Sequence, residues 1–100
     1  MVYLRRTWSG DVSFEFEFDE AKSRANAAKH GIDFVQAQEL WSDEAMVVAP
    51  AREAGETRFL VVGMIGSVHW SAIVTYRGDR VRIISVRRAR AREAAHYEGE

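Results

Sequence analysis

Phe14-Glu15-Phe16-Glu17-Phe18 places an aromatic ring at every second position, the period of a strand buried on one face. Asp19 follows as a helix N-cap, able to accept from backbone N–H groups that lack a helical partner. Ala21, Ala25 and Ala28 then predict a helix with a narrow apolar stripe. Lys29 and His30 fall in its last turn, where cations favour the helix dipole, and Gly31 supplies the left-handed stop. Asp33 and Gln36 read as a capping box for a second short helix, on which Phe34, Ala37, Leu40 and Trp41 share a face. So short a connection predicts a helical hairpin, and helices this short need a sheet to pack on.

The second half of the chain supplies strands. Met46-Val47-Val48-Ala49 is one, ended by Pro50, and Ala51 to Glu56 reads as a polar loop. Arg58 to Ile65 is the next, closed by a Gly66-Ser67 hairpin turn. Val68 to Tyr76 alternates again, with Val68, Trp70, Ala72, Val74 and Tyr76 on one face, and Gly78-Asp79 turns the chain into Arg80 to Arg88. From Ala89 the pattern is helical to near the end. The predicted order is β-α-α-β-β-β-β-α, an α+β domain over residues 14–98 in which a helical hairpin and a C-terminal helix pack on an antiparallel β-sheet. The helices are expected on one sheet face, leaving the other face or its rim for function. Residues 1–13 show no sustained period and read as a loosely attached extension.

Composition narrows the classes of function. One hundred residues at 47% hydrophobic suffice for a single core. No cysteine is present, which excludes disulfides, thiolate catalysis and Cys-based zinc sites. His30, His69 and His96 lie on three different predicted elements with no metal-ligand spacing, so neither metal nor cofactor is expected. No apolar run is long enough to span a membrane or to form a signal peptide core, and the expected compartment is the cytoplasm.

Charge adds a local feature. The net charge is only −1, yet Arg77 to Arg92 holds seven arginines and a single acid, Asp79. Arginine presents a planar fork of donors that grips phosphate bidentately. Strict alternation would place Val81, Ile83, Ser85 and Arg87 on one face of the last strand, with Arg82, Ile84, Val86 and Arg88 on the other. Arg58 opens an earlier strand, and Tyr97 lies about two helical turns into the last helix, where it could fold back on the sheet. Two sheet-borne arginines, a phenol and a His or Lys suffice for metal-free cleavage of RNA. A base takes the 2′-hydroxyl proton, the arginines stabilise the phosphorane and an acid protonates the leaving 5′ oxygen. DNA, without the 2′-hydroxyl, would survive such a site. Salt bridging for the arginines and helix packing for the tyrosine are the competing structural roles.

Several motifs together resemble one family. Phe18-Asp19-Glu20-Ala21-Lys22, Asn26, Lys29-His30-Gly31-Ile32, Phe34 and Ala37 are similar to the N-terminal signature of BrnT-type toxins, ribonucleases of bacterial type II toxin–antitoxin pairs. Arg58, Val62-Gly63, Val74-Thr75-Tyr76-Arg77, Arg82 to Ala89 and Glu93 with Tyr97 continue the resemblance in collinear order over residues 14–97. It implies a RelE/ParE-like fold, an endoribonuclease that halts translation, and a ribbon-helix-helix antitoxin (BrnA-like) through which alone the complex meets operator DNA. By position, Arg58, Arg87 and Tyr97 correspond to the family's sheet arginines and C-terminal tyrosine, with Lys29 and His30 in its Lys-His-Gly signature, either catalytic or serving the helix end. Arg77, Arg82 and Arg88 are the candidate RNA-binding residues. Two departures stand out: Phe18 occupies a position commonly held by Trp, and about thirteen residues precede the usual start. The alternative of a different class is a non-catalytic binding subunit of a repressor complex, its arginines pairing with acidic antitoxin residues.

Overall fold

The computed structural model describes residues 2–5, 14–51 and 55–100. The expectation of a loosely attached extension therefore falls largely outside the described residues, as does the middle of the predicted 51–56 loop. Strands β1 (Leu4–Arg5), β2 (Glu15–Glu17), β3 (Val47–Ala51), β4 (Arg58–Ile65), β5 (Val68–Arg77) and β6 (Arg80–Arg88) form one sheet in the order β1-β3-β4-β5-β6-β2. Strands β3 to β6 are the expected antiparallel meander, β1 adds antiparallel to β3, and β2 pairs parallel to β6. With helices α1 (Glu20–His30), α2 (Phe34–Ala37) and α3 (Ala91–Tyr97), and a 3-10 turn over Gln38–Ser42, this is an α+β fold.

The caps form as the residue types dictate. Asp19 accepts from Lys22 N–H at 3.0 Å, Asp33 and Gln36 close a reciprocal box, and Gly31 takes φ 79°, which a Cβ would resist. The buried face of α1 differs from the expected alanine stripe. Ala21, Ala25 and Ala28 are exposed, and Ser23 and Asn26 are buried instead. Ser23 Oγ accepts from Phe34 N–H at 2.9 Å, tying the hairpin together. The Asn26 carboxamide donates to the Val86 carbonyl at 2.9 Å and accepts from Val86 N–H at 3.2 Å. Among the described residues β2 covers β6 only over Arg80–Arg82, and further along Asn26 supplies the hydrogen bonds a neighbour strand would give. Polar docking, rather than apolar burial, holds α1 to the sheet.

Pro50 does not end β3. The strand runs on to Ala51, because among the described residues β1 pairs only with Val47 and Val48, and no strand partner there calls for the N–H that proline lacks. Along β6 the expected alternation breaks. Ile73 faces Ser85 while Val74 faces Ile83, so Ile84 is an extra residue in a β-bulge. Val81, Ile83 and Val86 consequently all enter one core.

Two apolar clusters lie on opposite faces of the sheet. The larger joins Phe34, Ala37, Leu40 and Trp41 of the hairpin side to Val61, Trp70, Ala72, Val74, Val81, Ile83 and Val86. Phe16 meets Trp41 edge-on at 5.1 Å, and Phe18 meets Phe34 at 5.7 Å. Gly63 permits close approach of the 3-10 turn, since a Cβ there would lie 3.0 Å from Leu40 Cδ2 and 3.2 Å from Asp43 Oδ2. The smaller cluster contains Val47, Leu60, Val62 and Tyr97. Helix α3 therefore packs on the face opposite the hairpin, not on the same face, because the side chains of β4 alternate between the two clusters and give each an apolar surface.

Candidate functional site

The α3 face of the sheet is built from rows of side chains running across the strands. One row places Val62 opposite Ser71 and Ser71 opposite Arg87. The next places Leu60 opposite Ile73 and Ile73 opposite Ser85. In the third, Arg58 precedes the Phe59–Val74 pair and so lies beside Thr75, which faces Arg82, which in turn faces Glu17. The bulge is what brings Arg82 and Arg87 to the same face, correcting the strict alternation that separated them. Arg88 goes to the hairpin side, its guanidinium 5.8 Å from the centre of the Trp70 ring. The Arg58 and Arg87 rows are separated by ~13 Å, four residues at the rise of a strand.

Arg87 is fixed by a fork-to-fork pair. Its Nη1 donates to Glu93 Oε1 at 2.7 Å and its Nη2 to Oε2 at 2.9 Å. The Ser71 hydroxyl and the Arg90 backbone N–H each donate to the same Oε1 at 2.8 Å. Burial works against the charged carboxylate, yet the hydrogen bonds from Arg87, Arg90 and Ser71 outweigh it and hold Glu93 at about 2. The same pairing raises the Arg87 guanidinium further above its ordinary value. Glu93 thus closes the first turn of α3 and orients Arg87 in one interaction.

Tyr97, at the other end of α3, has its hydroxyl engaged. It donates to Asp43 Oδ2 at 2.8 Å, and that oxygen also accepts from Met64 N–H at 2.8 Å. Burial first, then the Asp43 hydrogen bond and charge, push the phenol up to about 12. Arg5 of β1 donates to the Tyr97 carbonyl at 2.7 Å and to the Ala45 carbonyl, and lies 5.6 Å from the centre of the Tyr97 ring. His69 packs edge-on to the same ring at 5.2 Å, with Nε2 3.7 Å from Glu98.

Between the ends of α3 the sheet face opens into a cleft of about 490 Å³, lined by Tyr3, Leu60, Arg90, Arg92, Glu93 and His96. Of the residues singled out from sequence, Arg58, Arg82 and Arg87 lie on the same sheet face as α3, and Tyr97 packs into the apolar cluster beneath α3; none of the four lines the cleft itself. Lys29 and His30 end α1, which packs on α2 and β6, and they are not brought to the cleft. Arg77 ends β5 and pairs with Glu56 at 3.1 Å. Glu93, Asp43, Arg5, Tyr3 and His96 were not anticipated. Glu93 caps α3 by accepting from the Arg90 backbone N–H, but arginine is not a capping residue type and the sequence carries no box signature there, and the ends of β1 and α3 meet only in the folded chain. Among the described residues no three His, Asp or Glu side chains gather as a metal site would require, and no helix is long and apolar enough to cross a membrane.

The chain is thus a small α+β protein with arginines ranked across one sheet face and a short C-terminal helix packed on that face. The family profile described as "Ribonuclease toxin, BrnT, of type II toxin-antitoxin system" matches residues 18–93, and the chain belongs to this family. Comparison with curated proteins gives no match.

Proposed function

We propose that the α3 face is the reaction surface of a metal-independent endoribonuclease that inhibits translation and is neutralised by a ribbon-helix-helix antitoxin. The observation that carries this reading is the placement of Arg58, Arg82 and Arg87 on one rigid sheet face, the face on which α3 packs. A phosphodiester laid there meets sheet-borne guanidinium groups that can donate to the charge that develops as the 2′-oxygen attacks phosphorus. Removal of the 2′-hydroxyl proton and protonation of the departing 5′ oxygen complete the step, leaving a 2′,3′-cyclic phosphate and a 5′-hydroxyl. Arg58 and Arg87 are the catalytic arginines in this reading, Arg82 binds the neighbouring phosphate, and Glu93 and Tyr97 are positioning residues that seat α3. Lys29 and His30 serve the C-terminal end of α1, Arg77 pairs with Glu56 at the end of β5, and Arg88 lies on the hairpin side of the sheet.

The test is cleavage of single-stranded RNA in excess chelator. Wild-type protein should give cyclic phosphate ends and leave a substrate with a 2′-deoxy nucleotide at the cut site intact. Arg58→Ala and Arg87→Ala should each lower kcat by about 100-fold, and Arg87→Lys should not restore it. Chelator-sensitive cleavage, or 3′-hydroxyl products, would rule out the mechanism. The occupied state of Arg87 favours one alternative, a binding subunit in which the arginine only fastens α3. Harmless expression together with tight antitoxin binding would decide for that alternative, and growth arrest relieved by the antitoxin decides against it.

A further inference from the structure

Tyr3 precedes β1 and lies outside the residues that carry the family match. It nonetheless reaches the cleft, where its ring stacks on His96 with centroids 4.2 Å apart and planes inclined by 19°. The strand that follows it is held down by Arg5, whose guanidinium donates to the carbonyls of Ala45 and Tyr97. Tyr3 is thus delivered to α3 by a backbone attachment independent of the ring contact itself. Both rings are half-buried, and Arg90 and Arg92 are exposed and line the same cleft. The Tyr3 hydroxyl stays protonated: burial comes first, then the negative charge of Glu93, and together they outweigh Arg87 and Arg92. An aromatic pair beside two solvent-facing guanidinium groups is the pairing by which proteins hold single-stranded nucleic acid. Flat faces take bases regardless of sequence, and cations follow the backbone.

We infer that Tyr3 and His96 form a base-stacking ledge for one nucleotide of single-stranded RNA, its phosphate held by Arg90 and Arg92. The inference rests on the ribonuclease reading and adds to it a subsite that binds substrate and takes no part in bond cleavage. The N-terminal segment is then a working part of the cleft in this chain, supplying one of the two rings.

The full-length chain can be titrated with a 2′-O-methyl RNA hexamer carrying 2-aminopurine, which binds without being cut and loses fluorescence when its base stacks. Wild-type protein should quench the probe. Tyr3→Ala and His96→Ala should each weaken binding by about tenfold and abolish the quench, while Tyr3→Phe keeps both. With a cleavable RNA, the same Ala variants should raise KM and leave kcat near wild type. Thermal melts accompany each variant, and Tyr3→Phe with His96→Phe keeps the ledge testable if an alanine destabilises the fold, because paired phenylalanines should still quench. Wild-type cleavage with unchanged KM and quench in the alanine variants would overturn the ledge alone. A wild-type chain that neither binds nor cuts RNA would overturn the ribonuclease reading together with it. Loss of antitoxin capture in Tyr3→Ala and His96→Ala, with RNA binding unaltered, would reassign the ring pair to the protein partner.

Discussion

Four hydrogen bonds converge on the Glu93 carboxylate, and their effect is measurable. A carboxyl held at about 2 against an ordinary 4.5 contributes about 3 kcal/mol of stability at neutral pH. Because the folded value is depressed, that contribution is complete above pH ~4.5 and is lost as the pH falls toward 2. Urea denaturation at pH 7 and pH 3 should show the loss in wild type and a much flatter profile in Glu93→Gln. Tyr97 has the opposite sign. Its folded value of about 12 exceeds the ordinary 10.0, so its contribution is present below pH 10 and disappears as the pH climbs toward 12. Tyr97→Phe should cost about 1 kcal/mol at neutral pH and make the alkaline loss shallower. Residue identity alone marked Arg87 and Tyr97 as candidates for chemistry. That each is committed to a carboxylate was not legible, because Glu93 approaches Arg87 only once α3 turns, and Asp43 meets Tyr97 across 54 residues.

Helix α1 illustrates what periodicity can and cannot say about an element. Its ends were legible, since Asp19 and Gly31 act within their own turns. Its buried face was not, because the face is decided by an unpaired stretch of β6 that needs a hydrogen-bonding partner. Asn26→Ala removes that partner and leaves the Val86 N–H and carbonyl unsatisfied and buried, a loss of about 2 kcal/mol in chemical denaturation. Ala25→Ser, on the exposed side, should change stability by less than about 0.5 kcal/mol. Strand β4 carries the matching constraint. A methyl at Gly63 would press on Leu40 and Asp43, and Gly63→Ala should cost about 1–3 kcal/mol.

At the scale of the whole molecule, a sheet with an apolar cluster on each side separates two tasks. The hairpin face carries most of the buried volume, and the α3 face concentrates Arg58, Arg82, Arg87, Arg90 and Arg92 on a chain whose net charge is only −1. Binding of a non-cleavable RNA should accordingly depend on a few contacts rather than on the molecule's overall field. A plot of log affinity against log salt should have a slope of roughly −2 to −3, as expected for about four neutralised phosphates on a single strand. Alternation and turn chemistry predicted the order of elements and the α+β class. Assignment of α3 to the second face lay beyond them, since both faces of β4 are apolar and either could have received it.

The bulge in β6 makes the strand tolerant of loss at one point. It holds nine residues, but only eight keep step with β5, and Ile84 is the one left over. Shortening the chain by Ile84 would restore a regular beat in which Arg82, Ser85 and Arg87 still look toward α3 while Ile83 and Val86 still look away. Removal of Val61 from β4, which has no spare member, would turn half of that strand inside out. The first deletion should yield a folded protein with a cooperative melt, and the second should not. A family of such chains could therefore gain or lose a residue here without exchanging the two sides of its sheet.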